Sequence, residues 1–155
     1  MLTAKIFRAS ALFLTLLLVG PQPVVAGGQP TLPQIVLEIN GKKLLTEVAE
    51  TPKQRSNGLS YRVGLGADAG MLFVYAAEQP LYFTMQNAGI PLSIAFLSED
   101  WVINEILDMK PFTRGPYPSE KPAMYALEVN QGWFERHNIR AGDTVSYSAA
   151  PSDKP

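Results

Sequence analysis

The apolar positions come in short runs. Residues 71–75, 81–85 and 92–97 are each five or six residues long, separated by Gln79-Pro80 and by Gly89-Ile90-Pro91. Runs this short between turn residues predict buried or half-buried strands rather than helices. Upstream, residues 35–39 and 42–49 flank Asn40-Gly41, a pair that tolerates positive φ and so predicts a hairpin. Downstream, residues 101–109 follow the polar turn Ser98-Glu99-Asp100 and read as a strand, as do 123–130 and 144–149, the last after Ala141-Gly142-Asp143. Residues 111–122 hold four prolines and Gly115, which excludes a helix and predicts a stiff surface loop. Residues 64–70, with three glycines, predict another loop.

One helix start is well marked. Thr51 can cap, Pro52 suits the first helical position, and Gln54 can close a capping box. Asn57-Gly58 keeps the helix short, and Arg55 and Leu59 share a face. Residues 131–138 predict a helical turn with Trp133 and Phe134 packed inward. The expected class is therefore α+β, mostly β: a small closed or partly closed barrel-like sheet with one or two short helices. Closure would remove exposed strand edges.

The alternation assigns faces. A strand over 81–87 points Leu81, Phe83, Met85 and Asn87 one way. In 92–97, Leu92, Ile94 and Phe96 share a face, leaving Ser93 and Ala95 opposite. In 123–130 the even face is Met124, Ala126, Glu128 and Asn130.

The first 26 residues read as an address. Lys5 and Arg8 precede an uncharged apolar run over 9–19, and Val24-Val25-Ala26 presents modest side chains for cleavage. This is the pattern of a secretory signal, and its apolar run is shorter than the ~20 residues of a spanning helix. The expected organisation is a signal over 1–26, a flexible leader over 27–33, one globular domain over 34–149 and a disordered tail over 150–155. The protein is expected in the periplasm or outside the cell, with no membrane span after cleavage. Without Lys5 and Arg8, 11 basic residues face 14 acidic ones, a balance of −3. That gives no support to nucleic-acid binding. The absence of cysteine excludes disulfides and thiolate-bound zinc, and the single histidine, His137, cannot make an ordinary zinc site. No cofactor and no metal are expected.

Several motifs match a known pattern in order: residues 49–55 followed by Gly58-Leu59, then Gly70-Met71-Leu72-Phe73, Met85-Gln86-Asn87, Ile90-Pro91-Leu92, Leu127-Glu128-Val129-Asn130 and Gly142-Asp143. In these the chain resembles the domain of unknown function 192 family, from about Ala49 to Val145. The resemblance implies a small, mostly β, often exported bacterial domain without an assigned activity. The chain departs from that pattern at Ser60, where methionine is usual. It departs again at Thr84, Gln86 and Ala88, where tryptophan, lysine and threonine are usual, and at Ser93, where aspartate is usual. Any chemistry that the acid or the lysine performs in relatives is not performed by those groups here.

Glu128 is the residue that most needs a reason. A carboxylate in an apolar strand must be paired, hydrogen-bonded or protonated. The structural expectation is an ion pair with Arg55 or Arg62, under which Glu128→Gln lowers thermal stability. The functional one is a general acid or base, or a ligand contact, in a pocket. Arg55 could equally cover the helix face or bind a carboxylate or phosphate. Asn87 is a turn residue or a pocket amide. Ser93 has no histidine partner nearby in sequence, which argues against a serine hydrolase; His137, beside Arg136, is expected at the surface. No calcium loop or phosphate loop is present. The aromatic residues Tyr75, Tyr82, Phe83, Trp101, Tyr125 and Trp133 are expected in the core.

The reading is an exported binding or interaction domain for a small polar or anionic ligand, or for an envelope protein. Candidate contacts are Thr51, Arg55, Arg62, Met85, Asn87, Ser93, Glu128 and Asn130, with the pocket built from Arg55, Asn87, Glu128, Asn130 and the loops 64–70 and 111–122. The rivals are a hydrolase or isomerase using Glu128 as acid or base, and a purely structural envelope accessory. No catalytic residue is assigned.

Overall fold

The computed structural model describes residues 32–149. Asn40 and Gly41 take φ of 50° and 75°, the pair of positive values that a two-residue hairpin turn requires. They join β1 (Gln34–Ile39) to β2 (Lys42–Ala49), with Ile39 opposite Lys42 at the turn.

Helix α1 (Pro52–Asn57) follows at once. The Thr51 hydroxyl accepts from the Gln54 N–H at 3.2 Å, and the Gln54 side chain accepts from the Thr51 N–H at 2.8 Å. Each satisfies a donor that the first helical turn leaves unpaired. Thr51→Ala is expected to cost about 1 kcal/mol, read as a lower urea midpoint at unchanged slope.

Because α1 lies between them, β2 and β3 (Ala69–Gln79) can run parallel, and they do. The remaining elements are β4 (Tyr82–Phe83), β5 (Leu92–Leu97), β6 (Ile103–Met109), β7 (Tyr117–Pro118), β8 (Ala123–Asn130), α2 (Trp133–Arg136) and β9 (Val145–Ala149). Seven strands form one sheet in the order β6-β5-β8-β3-β2-β1-β9, and β4 pairs with β7. The sheet curls until its two edges meet at one end. There Thr144 bridges Val102, the Ile103 N–H donates to Asp143 O at 2.9 Å, and the Val145 N–H donates to Trp101 O at 2.9 Å. The result is a half-barrel, as the strand-rich pattern predicts.

Two apolar cores flank the middle strands. One gathers Met71, Phe73, Phe83, Leu92, Ile94 and Phe96; the other gathers Leu37, Leu72, Leu97, Leu127, Trp133 and Phe134. Strands β5 and β8 therefore bury both faces, which is why they are nearly continuous apolar runs rather than alternating ones.

Four local expectations are corrected. Residues 81–87 are not one strand: β4 covers only two of them, and the Ala88 N–H closes a turn on Met85 O at 3.1 Å. Leu81, Phe83 and Met85 still point inward, but Asn87, in the turn, is exposed. Trp101 does not begin β6. It takes φ 62° and stacks on Tyr125 with ring centroids 4.1 Å apart. Met124 packs with the second core, not with Ala126, because the β3–β8 register shifts between Val74 and Gln79. At the start of the domain, Leu32 packs against the first core and Pro33 O accepts from the Val48 N–H at 2.8 Å, so the end of the expected leader belongs to the domain. The signal, the rest of the leader and the tail from Ala150 lie outside the described residues.

Candidate functional site

Strand alternation places Ala126 and Glu128 of β8 on the face of the first core. Glu128 stands between Met71 of β3 and Ile94 of β5, both fully buried. Its residue is 5% exposed. Among the described residues no donor hydrogen-bonds the carboxyl, and burial alone pushes its pKa up to about 8.

That carboxyl borders a cavity of about 430 Å³. Phe73 and Tyr75 line it from β3, Phe83 from β4, Met85, Gln86 and Asn87 from the turn after β4, and residues 55–60 from α1 and its C-terminal end. Phe73 and Phe83 meet edge to face, with centroids 4.9 Å apart, a packing that holds both rings as a rigid wall. The half-buried Tyr75 has its phenol pKa raised, first by burial and further by the Glu128 charge, while Arg55 pulls it the other way. Tyr75 thus lies within electrostatic reach of both charged groups of the cavity.

The Arg55 guanidinium sits over the Tyr75 ring, 4.5 Å from its centroid. Its Nη1 donates to Val74 O at 2.9 Å and to Glu50 O. The carbonyls and the ring hold the head group at the cavity wall. Close packing fixes the strand beneath. A Cβ at Gly70 would stand 2.8 Å from Glu128 O and 3.1 Å from Leu44 Cδ2. Gly70→Ala is expected to push β3 from β8 and cost about 1–3 kcal/mol, seen as a lower melting temperature.

Of the eight candidate residues, the structure brings four to this cavity: Arg55, Met85, Asn87 and Glu128. The other four lie elsewhere, each with its own task. Thr51 caps α1. Arg62 makes a two-pronged ion pair with Glu47, its second bond 2.7 Å long. Asn130 donates to Leu65 O and Gly66 O at 3.3 and 2.8 Å, pinning the loop 64–68. Ser93, on the opposite face of β5 from Ile94, donates to Asp108 Oδ1 at 2.5 Å and accepts from the Gly132 N–H at 2.9 Å. It ties β5, β6 and the entry to α2 together and borders a separate groove there.

The expected ion pair for Glu128 is therefore overturned. Arg62 is taken by Glu47, and Arg55 bonds backbone carbonyls. The loops 64–70 and 111–122 do not line the cavity; residues 55–60 and 82–88 do. His137 is half-buried rather than at the surface, its Nδ1 2.8 Å from Trp133 O. Tyr82, expected in the core, is 69% exposed and lines the cavity. Sequence reasoning expected Tyr75 and Phe83 in the core and did not single out Phe73. The usable signal was that Phe73 and Tyr75 share the period-2 face of Met71, the strand neighbour of Glu128. Among the described residues no three histidine, aspartate or glutamate side chains gather as a metal site.

Curled sheet, capped helix and acid-floored cavity together define a small half-barrel α+β domain with one carboxyl held unpaired at a pocket. The profile of the domain of unknown function 192 family, described as an uncharacterized ACR, matches residues 35–147, and the chain belongs to that family. Two crystal structures are similar. A proposed transcription regulator from Sinorhizobium meliloti 1021 is 29% identical, with a TM-score of 0.74 over 77% of this chain and 98% of that one. A protein of unknown function from Novosphingobium aromaticivorans DSM 12444 is also 29% identical, with a TM-score of 0.70 over 82% of this chain and 91% of that one. No curated protein matches the chain in sequence.

Proposed function

We propose that the protein is an exported binding domain that holds a small polar ligand in the Glu128 cavity. One observation carries the reading: Glu128, only 5% exposed and without a hydrogen-bond partner for its carboxyl among the described residues, borders a cavity of about 430 Å³. An unpaired buried polar group is costly, and a ligand donor would offset that cost. The volume falls within the range of small-molecule sites. Export rests on the charged start and apolar run of residues 1–26. The mild acidity of the chain gives the regulator designation of the Sinorhizobium protein no nucleic-acid reading here.

The test is native mass spectrometry of the protein purified from its own host. A bound small molecule present in the wild type and lost in Glu128→Gln supports the reading. A wild type that carries nothing and binds no member of a small-molecule library overturns it, and a co-purifying protein would redirect it to an envelope partner.

A second reading has its own observation. A carboxyl with a pKa about 8 changes protonation close to neutral pH, which suits a general acid or base. Turnover of an envelope-derived substrate, abolished by Glu128→Gln in a folded protein, would favour it. The Ser93 hydroxyl does not serve this reading, because Asp108 and Gly132 already engage it on the other face of the sheet.

A further inference from the structure

The charged side chains that line the cavity are Arg55 and Glu128, and Tyr75 and Tyr82 are the other titratable ones. Arg55 and Glu128 are not bonded to one another. Arg55 uses Nη1 on the carbonyls of Glu50 and Val74, and among the described residues Nη2 and Nε have no hydrogen-bond acceptor. Among the described residues no donor reaches the Glu128 carboxyl. Tyr75 is the side chain that both charges influence. A guanidinium and a carboxyl that can ionise are thus placed apart within one cavity, and part of its wall is aromatic.

We propose, resting on the reading of this cavity as a ligand site, that its ligand is a compact zwitterion: a basic nitrogen directed to Glu128 and a carboxylate directed to Arg55. Each simpler ligand leaves one group unsatisfied. An anion alone pairs with Arg55 and leaves the buried acid without a partner. A cation alone pairs with Glu128 and leaves the guanidinium without a carboxylate. A neutral ligand can hydrogen-bond the protonated acid but gives the guanidinium no counter-charge. The zwitterion meets both, and its ammonium end gains from the aromatic walls, since ring faces attract cations. The wall already accepts one, the Arg55 head group over Tyr75. Phe73 and Phe83 then suit an apolar portion between or beside the charged ends. An amino acid with an apolar side chain is the simplest molecule with these features.

Four matched probes separate the terms: phenylalanine, 2-phenylethylamine, 3-phenylpropionate and 2-phenylethanol, each titrated calorimetrically into the purified protein at pH 7. Phenylalanine is expected to bind at least about tenfold more tightly than any of the other three, each tenfold step being one decade in Kd. Titration in buffers of different ionisation heat is expected to show about one proton released per phenylalanine bound, because the acid is mainly protonated when the cavity is empty. The alcohol and 3-phenylpropionate should release none. In Glu128→Gln, checked for folding by circular dichroism, the advantage of phenylalanine over 3-phenylpropionate should disappear. Equal binding of all four probes, or tightest binding of 3-phenylpropionate, overturns the zwitterion and leaves the cavity as a ligand site. Failure of every probe to bind the wild type overturns the zwitterion whether or not the host-purified protein carries another ligand. The proton count needs no variant, so the proposal is testable even where the glutamine protein does not fold.

Discussion

Glu128→Gln is expected to be more stable than the wild type at alkaline pH, and the gain should vanish in acid. The unfolded carboxyl titrates at 4.5, and the folded one is pushed up to about 8 by burial. Between those values the native state holds one proton more than the unfolded state. Wild-type stability therefore falls as pH rises, by about 1.4 kcal/mol per pH unit across that window. It is flat below 4.5 and flat again above 8. The glutamine side chain keeps the shape and stays neutral, so it does not follow this slope. The difference should approach about 3–5 kcal/mol above pH 8 and near zero at pH 4. Against a total of about 5–15 kcal/mol this is a large share. Urea midpoints of ligand-free protein from pH 4 to pH 9 check it; two parallel curves would mean that the acid has a partner after all. The sign is opposite to the one an ion pair predicts, and it follows from the two arginines being committed elsewhere.

The second large effect is expected at Trp133. Its indole is 1% exposed, meets Phe134 edge to face at 5.5 Å and lies 4.6 Å from the His137 ring, centroid to centroid. Its Nε1–H donates to Asp68 Oδ1 at 2.9 Å. Trp133→Ala removes both packing and bond and should cost about 3–5 kcal/mol. Trp133→Phe keeps most of the packing and loses the bond. Asp68 is solvent-exposed, so water can replace the donor, and about 1 kcal/mol is the expected loss. Chemical denaturation gives both values, and amide exchange should quicken in residues 64–69 in both variants. A phenylalanine variant as unstable as the alanine one would assign the energy to the hydrogen bond rather than to packing.

Local chemistry was readable wherever a local contact decides the conformation. Asn40-Gly41 predicts the hairpin because positive φ is a property of those two residues. Thr51-Pro52-Lys53-Gln54 predicts the cap because donor and acceptor lie three residues apart. Glu128 was legible as a residue in need of a partner, since an acid in an apolar strand is costly in any fold. Residues 81–87 misled because inward alternation persists through Met85 although the hydrogen-bonded ladder does not.

By itself the sequence determined the strand-rich class, the single capped helix, the turn that opens the sheet, and the oddity of Glu128, each set by neighbours a few residues apart. The tertiary structure alone decided strand order, the parallel β2–β3 pair, the pairing of Arg62 with Glu47 and the meeting of Arg55, Tyr75, Asn87 and Glu128 at one cavity. Those depend on which distant segments lie side by side. Arg55 and Glu128 are separated by most of the domain along the chain, and no local preference says that β3 will carry Tyr75 between them.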